Sequence, residues 1–208
     1  MSGLTKFISQ FNKDHKAEIL SVGVKVEDPT RLPSGIFQLD LQLGGGIPEG
    51  RITVVYGTES SAKTTLCYRF IAAAQRRYPD KQCVFIDLER TFSPQWAKIM
   101  GVDTDALVYV KPSHSEQAVD VLQALVHEAD DVAFIGLDSI AALITQRELN
   151  EEAEKAMVGV QGILINKMYR KLTQAMAEAH TRGFCPTVLL INQIRFKVGV
   201  MMGDPETQ

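Results

Sequence analysis

The sequence has 208 residues, 45% hydrophobic and 23% charged, with 15 Gly and 8 Pro; those proportions exclude a disordered or collagen-like chain and suit one domain or one domain plus an arm. A net charge of −3, from 22 basic against 25 acidic residues, gives no global field toward nucleic acid, so any such contact has to come from local clusters. No apolar run approaches the ~20 residues that cross a bilayer, and MSGLTKFISQFNKDHK lacks the basic-then-apolar order of a secretory signal. A cytoplasmic protein with no membrane partner is expected.

In chain order, Leu4, Phe7, Ile8 and Phe11 form an i, i+3, i+4, i+7 stripe, which predicts a short amphipathic helix within 4–20. Such a stripe packs either on its own domain or on another subunit, and the pattern leaves both open. A linker is read at 26–33, with Asp28, Pro29 and Pro33 as breakers. Beyond it, short apolar runs rich in β-branched and aromatic residues predict strands at 51–56, 82–87, 106–110, 133–138 and 187–192, each buried on both faces. Helical stretches are expected at 64–77, 94–99, 115–129 and 158–181, the last from the spacing of Ile165, Met168, Leu172 and Met176. Strand and helix in alternation imply an α/β fold, a mostly parallel twisted sheet with helices on both faces. Ligands then belong at the carboxyl ends of the strands. The three cysteines, Cys67, Cys83 and Cys185, lie far apart in apolar sequence with no metal or redox spacing, and read as buried free thiols.

The polar motifs fall at those strand ends. Gly57-Thr58-Glu59-Ser60-Ser61-Ala62-Lys63-Thr64 sits between a predicted strand and a predicted helix, the context of a phosphate loop, GxxxxGK[ST]. In that reading Lys63 reaches the β- and γ-phosphates of a nucleotide and the Thr64 hydroxyl ligates Mg²⁺. Ala62 stands where the pattern has its second Gly; if the position needs φ > 0, alanine costs on the order of 1 kcal/mol. The strand Ala133-Phe134-Ile135-Gly136-Leu137-Asp138 ends in a carboxylate suited to hold Mg²⁺ opposite the loop. Glu89, just past 82–87, fits either a base for an attacking water or a solvated loop carboxylate. Asn192-Gln193 ends the last strand with amides able to sense a γ-phosphate. Trp96, the single tryptophan, stacks on a base or fills a core.

Together these segments resemble the RecA family of bacterial and phage strand-exchange recombinases. The likeness runs through LDLQLGGGIPEGR at 39–51, GTESSAKTTL at 57–66, IAAAQR at 71–76, FIDLE at 85–89, LDSIAAL at 137–143 and INQIRFKVGVMMGDPET at 191–207. The Glu-Ser-Ser within the loop and the Asn-Gln-Ile-Arg stretch are distinctive of that family. The resemblance implies a phosphate-loop ATPase core at 33–208 preceded by an oligomerisation helix and linker at 1–32. It implies ATP and Mg²⁺ as cofactors, with Gly57, Thr58, Glu59, Ser60, Ser61, Ala62, Lys63, Thr64 and Thr65 around the phosphates and Asp138 behind the metal. Glu89 becomes the general base, Gln193 the link from γ-phosphate to DNA, and Trp96 an adenine-stacking ring, while Ser93 replaces a neighbouring acidic contact of the family.

The same resemblance implies filaments on single-stranded DNA, pairing with double-stranded DNA, and a homo-oligomer joined through the N-terminal helix, all in the service of recombinational repair. Its first DNA loop corresponds to 148–157, acidic here, and leads into a helix carrying Arg170, where one basic position of the family is Ile163. The second begins at Ile194 and supplies Arg195 and Lys197. The family pattern continues past Gln208, which lies inside that second loop, so an exposed sheet edge is expected. Drift at otherwise typical positions fits a phage-encoded member. Two alternatives stay open: a nucleotide-binding and protomer-docking module without strand exchange, and a ring-forming motor ATPase of the same fold.

Overall fold

Five runs of four to seven residues, dense in Val, Ile, Leu and Phe, form the strands β3 (Ile52–Gly57), β4 (Gln82–Asp87), β5 (Leu107–Val110), β6 (Val132–Asp138) and β7 (Thr187–Gln193). They pair in parallel as one sheet in the order β3-β7-β6-β4-β5. This computed structural model describes residues 3–23, 28–128, 130–143, 158–196 and 206–207. The helices are α1 (Gly3–His15), α2 (Phe37–Gln42), α3 (Lys63–Arg77), α4 (Pro94–Ile99), α5 (Ser115–Glu128) and α6 (Val158–Thr181), with a 3-10 turn at Ile140–Ala142. Among the described residues no helix is long and apolar enough to cross a membrane.

The period of two along each strand divides the core. In β4, Val84 and Ile86 join Ile135, Leu137, Val188 and Leu190 under α5 and α6. The intervening Cys83 and Phe85 join Phe134, Leu189 and Ile191 under α3. Burying each such side chain contributes about 1.5–3 kcal/mol. Met168, Leu172 and Met176 of α6 are buried in the first cluster, with Ile165 against its margin. All three cysteines are free and buried, and burial pushes the thiol of Cys83 up to about 12.

Burial on both faces holds only for the central strands. β6 is buried along its whole length, whereas β3 and β5 are edges whose residues are half-buried or exposed, Val54, Tyr56, Val108 and Tyr109 among them. An edge strand has one neighbour, so less of its side-chain surface is covered.

Two further departures from the expected elements have local causes. The N-terminal helix stops at His15: Lys16 takes φ +50°, and the Asn12 carboxamide turns the chain back by accepting from Ile19 N (2.9 Å) and Leu20 N (2.8 Å). The linker read at 26–33 ends in structure, because Arg31–Leu32 (β1) pairs antiparallel with Ile47–Pro48 (β2) and Leu32 is buried. Gly46, at φ +126°, allows that hairpin; a Cβ there would lie 2.1 Å from the Leu32 carbonyl oxygen. Asp40 of α2 closes the same segment by accepting from Ser34 N, Ser34 Oγ and Gly35 N at 2.7, 2.8 and 2.9 Å.

Gly136 sets how closely α3 approaches the sheet. A Cβ there would meet the fully buried Cys67 Sγ at 2.6 Å and Phe85 at 3.3 Å. Gly136→Ala is therefore expected to cost about 1–3 kcal/mol as α3 is pushed outward. Gly162 of α6 has nothing within 4 Å of the corresponding point, so Gly162→Ala should stabilise by roughly 0.5–1 kcal/mol. Urea unfolding midpoints check both signs in one experiment.

Candidate active site

Parallel register brings four strand ends to one place. Gly57 of β3 lies beside Gln193 of β7, and Asp87 of β4 beside Asp138 of β6. The loops leaving those ends enclose a cavity of about 430 Å³, lined by Glu59, Ser60, Ser61, Ala62, Lys63, Thr64, Thr65, Glu89, Asp138 and Gln193. The sequence motifs thus converge on one polar cavity.

The loop between β3 and α3 needs two left-handed residues, Ser60 at φ +59° and Ala62 at φ +63°. Ala62 is the residue preceding α3 and bears the strain that the missing glycine would have avoided. Lys63 opens the helix, buried, and its ammonium donates to Thr58 O (2.7 Å), Gly57 O (3.2 Å) and Ser61 Oγ (3.4 Å). No acidic residue occupies the first turn of α3. The positive end of the helix dipole, the first-turn N–H groups and the Lys63 charge together favour an anion at this end of α3.

A carboxylate of β6 touches this turn. Thr64 Oγ1 donates to Asp138 Oδ2 at 2.5 Å, and Asp138 is 2% exposed. Burial, with Glu89 and Asp87 nearby, raises the Asp138 carboxyl to about 6, against the lowering effects of the Thr64 hydrogen bond and Lys63. Among the described residues no group of three or more His, Cys, Asp or Glu is placed to hold a metal by itself. One hydroxyl and one carboxylate beside an anion site fit Mg²⁺, which takes one or two protein ligands and completes its shell with phosphate oxygens and water.

Glu89 is fixed rather than free in solvent. Leu88 N and Glu89 N both donate to Asp138 O, at 2.7 and 3.3 Å. Its Oε1 accepts from Ser139 Oγ at 2.5 Å and from Gln193 Nε2 at 2.9 Å. The loop that follows is closed by Asp87, fully buried, which accepts from Thr91 N, Phe92 N and the Tyr109 hydroxyl at 3.3, 3.0 and 2.9 Å. Asp87, Tyr109 and Ser139 carry no role in the motif reading. A charge inside the apolar run QCVFID was the available signal, since a buried carboxylate must find donors. Trp96 is 44% exposed and outside the core, and its indole N–H donates to Thr65 Oγ1 at 3.0 Å. Ser93 caps α4 by accepting from Trp96 N.

A family model described as the RecA N-terminal domain matches residues 3–208. The chain belongs to the RecA family. It is 39% identical over 194 residues to Protein RecA of Streptomyces rimosus, covering 92% of this chain and 50% of that protein. It is 42% identical over 185 residues to Protein RecA of Aquifex pyrophilus, covering 88% and 51%. With Protein RecA of Nitrobacter winogradskyi it shares 41% over 209 residues, covering 98% and 55%. The chain therefore spans about half the length of these curated relatives.

The RecA-like core accounts for the sheet; of the DNA residues inferred from the same likeness, Arg170 is not among those lining the cavity. Arg170 is exposed on α6, as is Ile163. Arg195 opens the short strand β8 (Arg195–Phe196), which pairs antiparallel with β9 (Glu206–Thr207). Lys197 and the loop 148–157 fall outside the described residues.

Two stability effects follow. Ala62→Gly should raise the unfolding free energy by up to ~1 kcal/mol, relieving the left-handed alanine. The Asp138 carboxyl binds its proton near pH 6 in the folded chain and near 3.8 when unfolded. Its contribution is therefore full below about pH 4 and lost as pH rises through about 6. Asp138→Asn should flatten that slope and stabilise the nucleotide-free chain at pH 7.5 by on the order of 2–3 kcal/mol, as thermal unfolding at several pH values would measure.

Proposed function

We propose that this chain binds ATP with Mg²⁺ in the cavity between α3 and the β4, β6 and β7 ends, and that it is the DNA-dependent ATPase core of a strand-exchange recombinase. The observation that carries the reading is the convergence of Lys63, Thr64, Asp138, Glu89 and Gln193 on one cavity. Lys63 and the N–H groups of residues 57–65 would hold the phosphates. Thr64 and Asp138 would hold Mg²⁺, which when bound supplies charge neutralisation on the phosphate oxygens.

Glu89 orients the attacking water and takes its proton. Both described donors to Glu89 reach Oε1, so Oε2 is the oxygen for that proton. Gln193 has a three-bond side chain with which to exchange Glu89 for a γ-phosphate oxygen, and the residue after it ties into the phosphate loop: Ile194 N donates to Gly57 O at 3.1 Å. That link gives nucleotide state a route to β8 and the DNA-facing loop, where Arg195 and Lys197 stand with Arg170 as phosphate contacts. Trp96, half-exposed beside Thr65, offers its ring to adenine.

None of the thirteen residues of α1 is buried, and Leu4 and Phe7 are exposed. An apolar stripe exposed at Leu4 and Phe7 and half-buried at Ile8 and Phe11 among the described residues supports docking on a neighbouring protomer, as a filament requires. The polar cavity and the exposed α1 are equally what a second reading requires, a nucleotide-binding and docking module that does not complete strand exchange.

ATP hydrolysis by the 208-residue chain, with and without single-stranded DNA at low salt, separates the two. Stimulation by DNA supports the recombinase core; ATP binding without stimulation supports the module. Lys63→Ala should abolish nucleotide binding in either case. Glu89→Gln should leave binding intact and lower turnover by about 10²–10⁴-fold; an unchanged rate clears Glu89 of the base role.

A further inference from the structure

Ser139 is used in an unusual way for a serine at its position. It occupies the residue before the 3-10 turn Ile140–Ala142, where a serine side chain ordinarily caps the N–H groups that follow. Here the backbone performs the turn, with Ala142 N donating to Ser139 O at 3.1 Å, and the side chain makes no capping bond. The hydroxyl, 0% exposed, points instead to Glu89 and donates to Oε1 at 2.5 Å across fifty positions of sequence.

We propose that Ser139 is a positioning residue for ATP hydrolysis, its buried hydroxyl fixing the rotation of the Glu89 carboxylate so that Oε2 keeps its place for water. The inference rests on the base role proposed for Glu89. The two donors on Oε1 differ in kind. Gln193 carries its amide on three rotatable bonds and is half-buried at the end of β7. Ser139 carries its hydroxyl on one rotatable bond, sealed in the interior directly after the residue that bonds Thr64. When the amide of Gln193 turns to another acceptor, the serine hydroxyl stays. Asp138 O also holds Glu89 N and Leu88 N, so backbone and side chain of the base are both referred to residues 138–139. Ser139 donates throughout and exchanges no proton.

The test is steady-state ATP hydrolysis by the full chain, reading kcat and KM separately, alongside nucleotide binding and thermal unfolding. Ser139→Ala should lower kcat by about 10–100-fold with KM and nucleotide affinity within about twofold of the unaltered chain. Ser139→Cys, similar in size and a weaker donor, should fall between the two and carries the test if the alanine variant fails to fold. In a Glu89→Gln background, Ser139→Ala should cause no further loss. A wild-type kcat in the alanine or cysteine variant, or the same fold-loss with and without Glu89, overturns the inference while leaving the base reading intact. An unchanged rate in Glu89→Gln alone overturns the base reading instead, and a chain without turnover overturns both.

Discussion

The site depends on how closely α3 lies against β6. The Thr64 hydroxyl reaches the Asp138 carboxylate at 2.5 Å only because the helix rests on the sheet with no side chain at Gly136 between Cys67 and Phe85. One turn separates Cys67 from Lys63 and Thr64 along α3, so the packing that seats the thiol also sets the height of the phosphate loop over the strand ends. In β6 the same alternation that buries Phe134 under α3 and Ile135 on the opposite face carries the chain on to Asp138. A hydrophobic fit thus fixes a polar distance, and the polar distance fixes the geometry open to a metal and a phosphate.

The electrostatics of the site run against stability in the absence of ligand. Burial of Asp138, with repulsion from Glu89 and Asp87 gathered in the same region, lifts its carboxyl to about 6. Lys63 is the cation at hand, and its ammonium is engaged by carbonyls of its own loop. A chain selected for stability alone would not place an ionised carboxylate 2% exposed beside two others. The arrangement makes sense where a bound cation offsets the acidic side and a bound phosphate engages the basic one, since each opposite charge favours the ionised form of its partner. Ala62 adds backbone strain in the same loop, and such costs gather at binding sites where surrounding structure over-determines them.

Legibility in the sequence followed the length scale of each feature. The five strands of the sheet and the helices after residue 60 were readable to within a residue or so, because short apolar runs and helical apolar spacing are local properties. β1, α2 and β2 were not, since two-residue strands have no period; they exist because Gly46 permits a close backbone approach and Asp40 collects three donors. Lys63, Thr64 and Asp138 were legible from motif chemistry. Glu89 required the family resemblance, because a carboxylate two residues past a strand end looks like any loop carboxylate until its neighbours are known. Those neighbours, Ser139 and Gln193, lie 50 and 104 positions away, and no local pattern encodes contacts at that separation. Asp87 announced only that it needed partners, and Tyr109, on the next strand, was invisible as one of them.

A single carbonyl joins the two halves of the proposed activity. Gly57 O accepts from Lys63 Nζ at 3.2 Å and from Ile194 N at 3.1 Å, so the charge that would hold phosphate and the first residue beyond β7 share one acceptor. A change in where the Lys63 ammonium sits alters the partner of Gly57 O, and with it the constraint on the segment that leads through Arg195 and Phe196. Gln193, between them, adds a second connection through Glu89 Oε1. Two hydrogen bonds that both end next to β8 would give the proposed activity a short path from the cavity to the segment after β7. The path requires no movement of the sheet, whose central strands are buried on both faces and too well packed to deform continuously. Any response to a bound ligand would on that ground fall to the side chains and loops at the strand ends, which line the cavity.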